Sequence, residues 1–226
     1  MEFKGLLERF LDYVKIDTQS DESSESFPST RKQFDLANII VDDLKKIGLA
    51  DAKVNKWGYV FATLASNQDK QGPTIALIAH MDTAPDVTGK GVNPQVHHNY
   101  DGKDILLSKA HNVILSSSEN PYLAEKVGKT IITTDGTTLL GADDKAGIVE
   151  IFGALTYLIE HPEIPRPRIR VLFTPDEEIG RGVNHVTKEE IEADFAYTLD
   201  GEKLGEIEDE TFCADSAEIV VTGQNV

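Results

Sequence analysis

Basic residues are scarce in this 226-residue chain: 22 Lys and Arg stand against 39 Asp and Glu, for a formal charge of −17. Nucleic acid and anionic membrane surfaces both select a positive face, so neither is expected as a partner. Cysteine is scarcer still. Cys213 stands alone, which excludes a disulfide framework and paired-cysteine metal sites and points to a reducing compartment. The isolated thiol is expected to pack as a small apolar residue. No apolar run approaches the roughly 20 residues that span a bilayer. The opening Met1-Glu2-Phe3-Lys4-Gly5 lacks the basic and apolar regions of a secretory signal, so the expected location is cytoplasmic. Also absent are a His-Glu-x-x-His helix, a phosphate-binding P-loop, a dinucleotide glycine fingerprint and a Gly-x-Ser-x-Gly elbow, which removes the common nucleotide-binding and serine-hydrolase chemistries.

What is present alternates between helical and strand patterns. Leu6, Leu7, Phe10, Leu11 and Val14 recur at helical spacing, as do Phe34, Ala37, Ile40, Val41, Leu44 and Ile47 ahead of a closing Gly48. A polar Ser- and Glu-rich loop, 20–29, separates the two. Val54 to Leu64 reads as a strand or hairpin broken at Trp57-Gly58. The apolar run 74–79 suits a strand buried on both faces. The polar stretch from Thr83 to Lys129 is a long loop of the kind that usually carries function, after which Ile131 to Thr134 is expected to resume the sheet. A third helix spans Lys145 to Ile159 and a second buried strand Ile169 to Phe173. Thr187-Lys188-Glu189-Glu190 has the form of a capping box, Phe195 to Leu199 is another strand, and two more are expected between Glu206 and Thr222. The pattern predicts an α/β fold with a mixed, largely parallel sheet flanked by helices.

Four of these segments end in metal-ligand residue types: His80-Met81-Asp82, Asp143-Asp144-Lys145, Asp176-Glu177-Glu178 and Asp200. A single histidine ending a strand is ordinarily packed, and acidic pairs are ordinarily solvated. Their common position is what matters, because sites in open α/β sheets form outside the carboxyl ends of strands. Carboxylates gathered there repel one another unless a cation holds them. Imidazole and carboxylate ligands with an open position for water make a zinc site, and Asp82 could fix the tautomer of His80. The remaining histidines, His97, His98, His111, His161 and His185, lie in polar segments; the pair His97-His98 falls in the long loop near the presumed site.

At these residues the chain resembles the co-catalytic zinc exopeptidases, a family that includes carboxypeptidase G, aminoacylase and succinyl-diaminopimelate desuccinylase. The motifs that carry the resemblance are Ile78-Ala79-His80-Met81-Asp82-Thr83-Ala84-Pro85-Asp86, Asn99-Tyr100-Asp101-Gly102, Leu139-Leu140-Gly141-Ala142-Asp143-Asp144-Lys145-Ala146-Gly147 and Phe173-Thr174-Pro175-Asp176-Glu177-Glu178. Within the family the likeness is to aminopeptidases that act on tripeptides with a free N-terminus. It implies that His80 and Asp200 bind one zinc, that Asp143 bridges two, and that Glu178 binds the second. It further implies that Glu177 is the general base, that Asp82 orients His80, and that the Asp143-Asp144 peptide is cis. A dipeptidase or an N-acyl amino acid deacylase with the same metal core is the related alternative, and a non-catalytic metal-binding truncation product the more distant one.

The resemblance also sets an expectation about extent. The family completes its second zinc with a histidine near the end of a longer chain, and inserts a smaller domain used for dimerisation and substrate binding. Residues 1–215 are therefore expected to be the N-terminal part of the catalytic domain and 216–226 the start of the inserted domain. The complete protein would be a homodimer, and the 226 residues alone a weakly active or inactive piece.

Overall fold

The computed structural model describes residues 5–69, 72–201, 203–210, 217 and 219–224. Helix α1 (Leu6–Tyr13) and helix α2 (Gln33–Lys46) follow the expected apolar spacing. Gly48, at φ 106, ends α2: its N–H returns to the Lys45 carbonyl and the Leu49 N–H to the Leu44 carbonyl. The left-handed backbone there is cheap only for glycine. Strands β1 (Lys53–Val54) and β2 (Val60–Leu64) pair antiparallel around Gly58, so the broken segment is a hairpin. Strand β3 (Ile75–His80) ends on the histidine itself.

The stretch from Thr83 to Lys129 is not a plain loop. It holds β4 (Gln95–His97), β5 (Ile105–Ser108), β6 (Val113–Leu115) and a 3-10 helix over Pro121–Lys126. The next strand, β7 (Ile131–Thr133), pairs with β4 in a separate two-stranded sheet and does not rejoin the main one. Strands as short as β4, β5 and β6 bury no continuous face, so no hydrophobic period announced them.

Helix α3 (Ala142–Glu160) is interrupted at its start, where Asp143 and Asp144 leave helical geometry. Its regular part begins after Asp144, as the apolar spacing from Lys145 predicts. Strand β8 (Ile169–Thr174) is buried along its whole length, α4 (Lys188–Ile191) carries the predicted capping box at Thr187, and β9 (Phe195–Thr198) is exposed at every residue. Of the strands expected over 206–222, the described residues form none. Residues 211–216 and 218, with Cys213 and the 215/216 boundary, lie outside the described residues.

The main sheet runs β1-β2-β8-β3-β9. Strands β8, β3 and β9 are parallel, and β2 is antiparallel to β8. The sheet is therefore mixed, as expected. Ile169, Val171 and Phe173 point alternately with Leu172: the first three join the main core with Leu36, Ile40 and Leu44 of α2 and Ile148, Ile151 and Phe152 of α3, while Leu172 packs with Tyr59 and Phe61 on the other face. Among the described residues no helix is long and apolar enough to cross a membrane. Because β3, β8 and β9 are parallel, their carboxyl ends share one edge, and the acidic N-terminus of α3 meets that edge.

Candidate metal centre

His80 closes β3 and is only 2% exposed. Its ring is held at both nitrogens. Nδ1–H donates to the main-chain carbonyl of Asp82 at 3.0 Å, and Nε2 donates to Asp143 Oδ1 at 2.8 Å. Burial alone would depress the imidazole pKa, but the carboxylates of Asp143 and Asp82 reverse this and push it up to about 11. The same contact holds Asp143 below the usual carboxylate range.

Around that buried ring stand carboxylates open to solvent. Glu177 Oε2 and Asp200 Oδ2 each lie 3.9 Å from His80 Nε2. Oxygens and nitrogen of His80, Glu177 and Asp200 lie within 4.8 Å of one another, as do those of His80, Asp143 and Glu178. Every residue singled out as a metal ligand is thus at this one edge. The grouping differs from the expected one in that Glu177 stands beside His80 and Asp200. Burial, with the charge of Asp143 beside it, pushes Glu178 up to about 7 and Asp200 up to about 6. A cluster whose carboxylates raise one another in this way, set against one imidazole, is a donor set that fits a divalent metal ion.

Asp82 is fully buried. Its Oδ1 lies 3.4 Å from His80 Nδ1, yet its carboxylate accepts the main-chain N–H of Glu177 at 2.9 Å and of Glu178 at 3.2 Å. The hydrogen bond that orients the ring comes from the Asp82 main chain, and the side chain orients the glutamate pair. The Asp143–Asp144 peptide is cis.

Two buried neighbours of the site, Asp144 and Lys145, were assigned no side-chain role from the sequence. Asp144, 3% exposed, accepts the N–H of Gly147 at 3.0 Å as an N-cap for the regular part of α3, and the N–H of His80 at 3.1 Å. Burial, with the charge of Asp200, pushes it up to about 8. Lys145, 1% exposed, donates to the Ile16 carbonyl at 2.7 Å and ties α3 to the segment after α1; burial pushes it down to about 8. Their signal in the sequence was the unbroken run Asp143-Asp144-Lys145. His97 instead meets Thr133 within the small β4–β7 sheet, and His98 meets Thr130 just beyond its end; among the described residues His80 is the one histidine in either group.

No family model matches the chain. Against curated proteins it is 58% identical to peptidase T of Listeria welshimeri over 221 residues, 98% of this chain and 54% of that protein. It is 56% identical to peptidase T of Alkaliphilus oremlandii over 225 residues, 99% of this chain and 55% of that protein. Over nearly its whole length the chain is similar to peptidase T. It spans about half the length of these peptidase T relatives. Among solved structures, the aminopeptidase PepT from Bacillus cereus superposes with a TM-score of 0.63 at 24% identity, over 90% of this chain and 44% of that one. That likeness establishes the fold alone, a mixed sheet flanked by helices.

Proposed function

We propose that this chain carries the metal-binding edge of a zinc-dependent aminopeptidase that removes the N-terminal residue of tripeptides. The observation that carries the reading is the convergence of His80, Asp143, Glu177, Glu178 and Asp200 at the carboxyl edge of three parallel strands. His80, Asp143 and Asp200 would hold one ion, with Asp143 and Glu178 holding the second. Bound there, zinc would polarise the scissile carbonyl and acidify the attacking water.

The chain's own residues divide the remaining work. His80 surrenders the Nε2 proton to bind metal while Nδ1–H stays on the Asp82 carbonyl, which fixes the tautomer. Asp82 holds the N–H groups of Glu177 and Glu178, so the two glutamates project from a fixed backbone. Glu177, the more exposed of the pair, takes a proton from the attacking water and delivers it to the leaving amine. Glu178 remains a ligand.

The second ion's remaining imidazole is assigned by the resemblance to a part of the relatives that this chain does not span, as is the dimerising domain. The 226 residues alone are therefore expected to turn over tripeptides weakly or not at all. Two experiments test the reading: zinc uptake by equilibrium dialysis, and release of the N-terminal residue from a tripeptide by the complete enzyme. Glu177→Ala is expected to leave zinc uptake intact and to reduce turnover by at least about 10²–10⁴-fold, the usual worth of general-base catalysis. Undiminished turnover removes Glu177 from the reaction.

A further inference from the structure

The two glutamates follow a residue whose backbone is held from outside its own loop. Asp176 has φ 56, in the left-handed region that Asp tolerates better than most residues. It is fully buried. Three donors converge on its carboxylate: the Ser29 N–H at 2.6 Å, the Ser29 hydroxyl at 2.6 Å and the Gln33 amide at 2.6 Å. In return Gln33 Oε1 accepts the Asp176 N–H at 3.1 Å. Ser29 and Gln33 are themselves 5% and 1% exposed. A carboxylate can be taken out of water only where donors replace its hydration, and here the hydrogen bonds do so.

The segment that supplies these donors also grips the other side of the site. The Thr30 hydroxyl donates to the Gln19 carbonyl at 2.9 Å, and Gln33 Nε2 lies 3.2 Å from that hydroxyl. The Gln19 side-chain amide lies 3.3, 3.0 and 3.0 Å from the carbonyls of Ala84, Pro85 and Val87. The Ser20 N–H donates to the Thr83 carbonyl at 3.1 Å. Residues 19–33 therefore form a polar strap between the loop that follows Asp82 and the turn that carries Glu177 and Glu178.

We propose that Gln33 and Ser29 are positioning residues for the metal-site glutamates, locking the Asp176 turn so that the N–H groups of Glu177 and Glu178 meet Asp82. The inference rests on the functional reading of those glutamates given above. Neither Gln33 nor Ser29 touches a reacting atom; both act through Asp176.

The test compares Gln33→Ala with Ile40→Val, a core truncation on the same helix, by two readouts on the 226-residue chain. Residue-resolved amide exchange at Glu177 and Glu178 is expected to quicken about tenfold or more in Gln33→Ala relative to the core variant, as loss of a hydrogen bond to a charged acceptor predicts. Titration with Co²⁺, followed by its visible absorption, is expected to show affinity about 10- to 100-fold weaker and an altered band, as for other supports of ligand geometry. Exchange at both amides equal to that of the core variant overturns the proposal, whatever happens to the unfolding midpoint. If the unaltered chain takes up no Co²⁺, the metal reading fails, and exchange alone decides the positioning. Should Gln33→Ala not fold, Gln33→Asn, one methylene too short to reach Asp176, is read by the same criteria.

Discussion

The side chain of Asp82 shows how one residue can serve two neighbours by different atoms. Its main-chain oxygen holds the His80 ring, and its carboxylate oxygens hold the N–H groups of Glu177 and Glu178. Replacing Asp82 with Ala keeps the first contact and removes the second. Asp82→Ala is expected to lower stability by about 1.5–3 kcal/mol, the cost of hydrogen bonds to a charged acceptor. It is also expected to weaken zinc binding about 10- to 100-fold. Urea denaturation and calorimetric titration check the two effects separately. His80 stood out as a candidate ligand only because three other segment ends carry carboxylates, whereas the destination of the Asp82 carboxylate was not legible. The spacing of His80 and Asp82 suggested a ring partner, and only the meeting of β3 with the turn after β8 brings the Glu177 and Glu178 amides within reach. Asp176 was hidden for a similar reason: beside two glutamates it reads as solvated charge, and its donors lie more than 140 residues away, at Ser29 and Gln33.

Helices α1 and α2 are joined by a polar clamp at the rim of the core. Arg9 donates to Asp43 at 2.5 Å and to the Tyr13 hydroxyl at 2.9 Å, Tyr13 donates to Asp43 at 2.9 Å, and the Arg9 guanidinium lies 4.1 Å from the ring centre of Phe152 on α3. Burial favours the neutral form of Asp43, but hydrogen bonds from Lys46 and Tyr13 and the charge of Arg9 outweigh it, and its pKa in the folded chain is lowered. A carboxyl lowered by folding contributes stability that is present above its unfolded pKa and lost as pH falls through the folded one. As pH falls below about 4, the unfolded carboxyl's value, the urea midpoint is therefore expected to fall more steeply in the unaltered chain than in Asp43→Asn. At this scale the long helices were readable, because five or six apolar positions fix a face. The strands between Thr83 and Lys129 were not: β4, β5 and β6 have three or four residues each, too few for a period to stand out. Ile131 to Thr134 was expected to resume the main sheet, but composition says nothing about which partner a strand finds, and β7 (Ile131–Thr133) pairs with β4.

Across the whole molecule the sheet is unevenly covered. Its centre, β8, is buried throughout, while β9 forms an edge on which Phe195 is 58% exposed and Tyr197 53%. These two residues lie on one face of the strand, and an open edge with aromatic side chains invites pairing with another chain. The 226-residue chain is expected to self-associate as concentration rises, and Phe195→Lys to shift it towards monomer, as sedimentation velocity would show. The edge is also where Asp200 leaves the sheet, and one small residue decides whether it can reach the others. A methyl group on Gly147 would overlap the Leu199 carbonyl and the Asp144 carboxylate. A saturation scan scored on metal uptake would therefore find position 147 as intolerant as position 80. The chemically empty site would look like a ligand, and a map of sensitivity alone would count a residue with no side chain among the candidate ligands.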